Sequence, residues 1–322
     1  MASDSVVNGG NAGPRPTILL LIEMAPEHRQ WLSERYDIVD IAPDKIGPDV
    51  AICAEAQAVW TNGGVGLSEA AIRNLPRLEI VVCLGVGYEN IDLNATRARK
   101  IAVVNGRGTN SATVADHAMA LLLSLLRQVP TYDRQVRSGK WNEVRVLRPI
   151  LTGRPVGILG LGNVGRLIAQ RASAFDCEIH YHGRRRLEDC PYHYAPTPLD
   201  LARACNVLVL SCPGGPETHH VVNAQVLDVL GPDGYLVNVA RGSVVDTAAL
   251  MAALTDGKIA GAALDVVDGE PDIPPALYDV PNLVLVPHVG GLSPDASDRT
   301  VQQGKANLDA HFSGQPLLTP IV

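Results

Sequence analysis

The chain has 322 residues, 46% of them hydrophobic and 19% charged, and carries a formal net charge of -7. That length points to two packed domains, and the composition is that of an ordinary globular protein, which excludes disordered, collagen-like and coiled-coil classes. The acidic balance leaves no extended basic surface, arguing against nucleic acid or an anionic membrane as partners, and no apolar run is long enough to cross a bilayer.

Residues 1–16 are rich in Gly, Asn, Ser and Pro without periodicity and read as a mobile tail. They lack the basic and apolar blocks of a secretory signal, so the expected address is the cytoplasm. Folding starts near Thr17. From there TILLLIE, YDIVDI, AVWT, LEIVVCLG and AVVNG alternate with helix-like stretches such as EAAIRNL, the rhythm of a parallel α/β sheet. SATVADHAMALLLSLLRQ, residues 111–128, predicts a buried helix, apolar around most of its circumference and suited to an interdomain spine or a subunit interface. A second series runs PVGILGLGNVG, CEIHYHG, NVLVLSCP, GYLVNVA, IAGAALDV and LVLVPHVG. These supply the six strands of a dinucleotide fold. The last helix-like stretch, 294–312, is placed to return to the first domain. Cys53, Cys83, Cys177, Cys190, Cys205 and Cys212 are scattered, with no Cys-x-x-Cys pair, and read as reduced packing residues rather than metal ligands.

Gly160-Leu161-Gly162-Asn163-Val164-Gly165 joins an apolar strand to a helix, the context a Gly-x-Gly-x-x-Gly pattern requires. The first glycine permits the tight turn, the second lets a pyrophosphate approach the backbone, and the third lets strand and helix pack closely. Free N–H groups at the helix start meet the phosphates. The alternative is a glycine-rich turn with no ligand. An acidic residue at the end of the next strand would bind an adenosine ribose hydroxyl, but His182 stands there, followed by Gly183, Arg184, Arg185 and Arg186. Guanidinium groups suit a 2′-phosphate, so NADP is expected, with NAD possible; a solvated basic turn is the alternative.

The motifs together resemble the D-isomer-specific 2-hydroxyacid dehydrogenase family, and within it the glyoxylate/hydroxypyruvate and hydroxyphenylpyruvate reductases. They are LGVGYENIDL at 84–93, VADHAMALLLSLLR at 114–127, GILGLGNVG at 157–165, VNVARGSVVD at 237–246, GAALDVVDGEP at 261–271 and VLVPHVGG at 284–291, in family order over nearly the whole chain. The resemblance implies that Arg241 binds the substrate carboxylate and keto oxygen, that His288 donates a proton, and that Glu270 supports His288. The chemistry agrees: a planar charged fork suits a 2-keto carboxylate, an imidazole delivers a proton near neutral pH, and a neighbouring carboxylate orients it. Without the family, Arg241 would read as a surface residue, His288 as structural and Glu270 as part of a solvated turn. The resemblance further implies that Asp265 contacts the nicotinamide amide, that Cys212, Val239 and Gly290 join the cofactor contacts, and that Val86 and Gly87 offer N–H groups to the substrate. Asp116 departs from the family's usual Glu. Formate enzymes of the superfamily carry Gln where Glu270 stands.

The fold class expected is α/β, two Rossmann-like or flavodoxin-like domains with parallel sheets. A discontinuous substrate domain takes 17–110 and 293–322, and a dinucleotide-binding domain takes 111–292. The expected activity is NAD(P)H-dependent reduction of a small 2-keto acid to the D-2-hydroxy acid. Hydroxyphenylpyruvate, 2-ketogluconate and a non-catalytic nucleotide-sensing corepressor remain alternatives. The family implies a homodimer, and the short residues Thr61-Asn62-Gly63-Gly64 are a candidate space for a larger substrate tail.

Overall fold

The computed structural model describes residues 15–143 and 145–322. The expected mobile tail over 1–16 lies outside the described residues except for its last two. At Arg15 the chain is already tied down, the guanidinium donating to the carbonyls of Ser33 and Tyr36. Two compact units are present: one runs to Asn110 and resumes at Pro294–Val322, and the other is Ser111–Ser293.

The first unit is built on β1 (Thr17–Leu20), β2 (Asp37–Asp40), β3 (Ala58–Asn62), β4 (Ile80–Leu84) and β5 (Ala102–Asn105), with helices α1 (Pro26–Ser33), α2 (Ala51–Glu55), α3 (Glu69–Arg73) and α4 (Leu93–Ala98) between them. All pairs are parallel, in the order β2-β1-β3-β4-β5, which is the flavodoxin-like order. Helices cover both faces, so the strands read as continuous apolar runs, and alternate residues supply opposite layers. In β4, Val81 and Cys83 join one core with Ile72 and Leu75, whereas Ile80 and Val82 join the other with Trp60.

The second unit opens with α5 (Ser111–Arg127), which ends where Gln128 takes a left-handed φ of 56° before α6 (Val129–Arg137). Its strands are β6 (Val156–Leu159), β7 (Ile179–His182), β8 (His193–Tyr194), β9 (Val207–Leu210), β10 (Tyr235–Asn238), β11 (Gly261–Leu264) and β12 (Leu283–Leu285). The sheet is parallel throughout, ordered β12-β11-β10-β9-β6-β7-β8. That is a dinucleotide-binding order with a further strand at the β12 edge. Seven strands replace the six expected because β8, two residues long, is too short for any sequence period to reveal; backbone pairing to β7 defines it. The crossovers carry α7 (Asn163–Ser173), α8 (Pro198–Arg203), α9 (Ala224–Leu230) and α10 (Thr247–Thr255).

The apolar circumference of α5 is used inside its own unit. Leu121, Leu122, Leu125 and Leu126 are buried against α7 and the β10–β12 side of the sheet, each contributing about 1.5–3 kcal/mol relative to exposure. Asp116 points outward and accepts from Arg171 Nε on α7 at 2.7 Å, so the shorter acid at this position makes a surface ion pair. All six cysteines are unpaired, five of them buried. Among the described residues no helix is long and apolar enough to cross a membrane.

The chain then returns to the first unit as α11 (Pro294–Phe312), over the residues the pattern predicts, and packs on β4 and β5. Gly304 makes this approach possible, since a Cβ there would stand 2.5 Å from Trp60 Cη2 and 3.0 Å from Val82 Cγ1. Gly304→Val should cost about 1–3 kcal/mol through overpacking, read as a lower urea midpoint; an unchanged midpoint would mean that Trp60 has room to move.

Candidate active site

The turn after β6 shows why three glycines stand where they do. Gly160 takes φ 98°, and a Cβ on it would lie 2.6 Å from Cys212 Cα; a Cβ on Gly165 would lie 2.2 Å from Gly160 O. Gly162 differs, with open space where its Cβ would be. It is also the N-cap of α7 and provides no side-chain cap, so the first N–H groups of α7, at Asn163 and Val164, are left for an anion. Ser211 Oγ donates to Gly160 O at 2.8 Å and fixes the loop from β9. The loop lies beside the β6–β9 junction, where the strand order reverses, and a dinucleotide fits there.

At the end of β7 the ring of His182 is committed: Nδ1 donates to Ala195 O at 2.9 Å. Gly183 follows, and then Arg184, Arg185 and Arg186 are exposed. None of the three pairs with a carboxylate among the described residues. Three uncompensated guanidinium groups beside a pyrophosphate loop fit a 2′-phosphate better than a ribose hydroxyl. Cys212 and Val239 are buried at the feet of the neighbouring loops, and burial pushes the Cys212 thiol up to about 11, which makes it packing rather than a nucleophile.

Glu270 and His288, from the loops after β11 and β12, are in contact, and Arg241 follows the neighbouring strand β10. Arg241 follows β10 in a turn held by the buried Asn238, whose Nδ2 donates to Arg241 O at 3.0 Å and whose Oδ1 accepts from Ala240 N at 3.0 Å. The next residue, Gly242, admits no side chain, since a Cβ would lie 2.1 Å from Val267 C; the Arg241 turn thus rests directly on the segment leading to Glu270. Gly214, in the loop after β9, presses on the arginine stem, with a Cβ there only 2.9 Å from Arg241 Cγ.

His288 adopts a left-handed φ of 53° after β12. Its Nδ1 lies 2.7 Å from Glu270 Oε1, and Glu270 Oε2 accepts from Val267 N at 3.3 Å. A proton on Nδ1 shared with the carboxylate leaves Nε2 facing outward on a half-exposed ring. Asp265 supports this loop from beneath. Its backbone O accepts from His288 N at 2.8 Å, and its carboxylate accepts from Val289 N at 2.8 Å and Gly290 N at 3.1 Å. The carboxylate expected at the nicotinamide thus also anchors the residues that follow His288.

In the first unit, Val86 and Gly87 follow Gly85, whose φ is 80°. Their carbonyls are held by Asn105 Nδ2 at 2.7 Å and Cys83 Sγ at 3.0 Å, while their N–H groups take no acceptor among the described residues. Burial pushes the Cys83 thiol up to about 12, which keeps it a donor. Gly63 is packed beneath, a Cβ there being 2.6 Å from Gly87 O. The shortness of 61–64 is thus taken up partly by contact with the 85–87 loop. Sequence reasoning missed Ser211, Gly214 and the supporting role of Asp265. Only Gly214 left a visible signal, the Pro-Gly-Gly-Pro run at 213–216.

Residues 119–290 match the family model described as "D-isomer specific 2-hydroxyacid dehydrogenase, NAD binding domain". The chain is 39% identical to glyoxylate/hydroxypyruvate reductase A of Arabidopsis thaliana, covering 95% of this chain and 98% of that protein. It is 38% identical to hydroxyphenylpyruvate reductase of Plectranthus scutellarioides, over 95% and 98%. Among solved structures it is similar to the NADPH-dependent glyoxylate/hydroxypyruvate reductase of Sinorhizobium meliloti in complex with NADP and malonate, with a TM-score of 0.88, 38% identity and coverage of 96% and 97%.

Gly165→Ala forces the phosphate loop off Gly160 O. Dinucleotide affinity measured by titration should fall by about tenfold or more, equivalent to about 1.4 kcal/mol, while far-ultraviolet dichroism stays unchanged; full affinity would show that the loop tolerates the methyl group.

Proposed function

Since the chain belongs to the D-isomer-specific 2-hydroxyacid dehydrogenase family, we propose that it reduces a small 2-keto acid of the glyoxylate and hydroxypyruvate class to the D-2-hydroxy acid, with NADPH preferred and NADH accepted. The observation that carries this is the 2.7 Å His288–Glu270 pair, standing with Arg241 at the same end of the sheet as the glycine loop. The coenzyme supplies the hydride. Arg241 binds the keto-carboxylate through paired hydrogen bonds and stabilises charge developing on the carbonyl oxygen. His288, oriented through Nδ1 by Glu270, delivers a proton to that oxygen from Nε2. The N–H groups of Val86 and Gly87 receive the substrate carboxylate, which makes the first unit the substrate domain and the second the dinucleotide domain.

Gly160, Gly162, Asn163, Val164 and Gly165 hold the pyrophosphate; Gly183, Arg184 and Arg185 hold the 2′-phosphate. Cys212, Val239, Asp265 and Gly290 complete the cofactor contacts. The missing acid at His182 and the unpaired arginines support NADP over NAD. We also infer a homodimer in the cytoplasm. Support for the dimer comes from apolar side chains that the second unit leaves uncovered after α5, with Trp141 67% and Leu147 98% exposed alongside Val146 and Ile150. Unpaired cysteines suit a reducing compartment.

Initial rates with NADPH and NADH on glyoxylate, hydroxypyruvate, hydroxyphenylpyruvate and 2-ketogluconate test the activity. NADPH should win on at least one, and Arg184→Ala with Arg185→Ala should shrink the NADPH-over-NADH ratio by about tenfold or more, since one charge-assisted bond at the low end of about 1.5–3 kcal/mol already corresponds to that factor. NADPH binding with no oxidation on any acid would instead mark a nucleotide-sensing protein. His288→Gln should lower kcat by about 10²–10⁴-fold with NADPH affinity retained; full turnover in that variant removes His288 from the chemistry.

A further inference from the structure

His117 faces the site from α5, although none of the proposed steps uses it. Its side chain is largely buried, and its Nε2, shielded from solvent, lies 3.2 Å from Asp265 Oδ1 with no hydrogen-bond partner among the described residues. Asp265 is itself 3% exposed. A carboxylate so deep needs compensation. It receives the N–H groups of Val289 and Gly290, and among the described residues His117 is the one side chain able to carry positive charge within ion-pair distance. The Nε2 edge of the ring lies against the carboxylate at ion-pair distance, outside hydrogen-bond geometry. The fit around the pair is close. A Cβ on Gly290 would stand 2.6 Å from Asp265 Oδ2 and 3.0 Å from His117 Cδ2, so imidazole, carboxylate and loop backbone form one packed contact.

We propose that His117 is a positioning residue for the proton donor. Its contact fixes the Asp265 carboxylate in the orientation that receives both loop N–H groups, and those bonds hold the turn in which His288 keeps its left-handed φ of 53°. That backbone region is unfavourable for a side chain with a Cβ, and a released loop would leave it. The ring of His288 would then lose its register with Glu270 Oε1, because Glu270 is held from the other side by Val267 N. The inference rests on His288 as the proton donor of the reaction proposed above.

The test compares His117→Leu, His117→Asn and His117→Gln in the full-length protein. Gln carries a nitrogen at about the position of Nε2, whereas Asn reaches only the position of Nδ1. Amide hydrogen exchange at Val289 and Gly290, followed without substrate, should quicken about tenfold in Leu and Asn and stay near wild type in Gln. The kcat should fall about tenfold or more in Leu and Asn, and Gln should recover most of the rate. Using Asn beside Leu frees the result from the folding of the apolar variant. Wild-type exchange in Leu or Asn, or equal losses in all three variants, overturns the positioning role. A wild-type protein that reduces none of the acids overturns the proposed reaction, and exchange still reports on the contact in that case.

Discussion

At the carboxyl ends of the second unit's strands, one row of backbone hydrogen bonds links each loop to the strand beside it. Gly160 N donates to His182 O, Ser211 N to Leu159 O, Val239 N to Leu210 O, Asp265 N to Asn238 O and Val286 N to Leu264 O. The row continues the parallel register in which His182, Leu159, Leu210, Asn238, Leu264 and Leu285 are neighbours. Parallel pairing puts every carboxyl end on the same side, so residues far apart in the chain emerge together. Arg184, Gly160, Cys212, Arg241, Asp265 and His288 each follow that row within a few positions. A register slip in any one strand would carry its functional residue away from the others.

Beyond the row, close backbone approach and buried polar bonds set the aim of each group. Gly242 lets the Arg241 turn lie on Val267, Asn238 closes that turn with two bonds, and Asp265 grips the loop of His288 with its carbonyl and its carboxylate. These are expensive contacts to break, because each buried donor or acceptor left alone costs about 1–3 kcal/mol. The side chains proposed to act on the substrate stay partly open to solvent, as the half-exposed His288 shows. Rigidity thus lies one layer beneath those side chains, which is what preorganisation of the proposed site requires.

Much of this was legible in the sequence, for identifiable reasons. Strands covered on both faces must be apolar throughout, so TILLLIE, NVLVLSCP and GYLVNVA read plainly as a parallel sheet. Gly160 and Gly165 carry conformational and packing demands that only glycine meets, and α11 showed its full length. Other features depend on contacts without a local pattern. The β8 edge strand is two residues of backbone pairing. The apolar circumference of the helix at 111–128 does not say which neighbours cover it, and the contacts with α7 and β10–β12 come from the fold. Gly63 looked like open space, whereas the carbonyl of Gly87 presses on it. Arg241, Glu270 and His288 are separated by whole strands, so their pairing came from family resemblance, and the 2.7 Å contact between the last two is what the fold adds.

The three exposed arginines after His182 have one more consequence. Charges in open solvent at 0.15 M salt lose most of their reach beyond a Debye length of about 8 Å. Asp265 sits at 3% exposure and is shielded from that effect. Under the proposed assignment of those arginines, discrimination between the two coenzymes should erode as ionic strength rises, while the internal contacts that hold the His288 loop persist. On that assignment, coenzyme choice becomes a surface property, tunable by the salt around the protein and separable from the contacts beneath it.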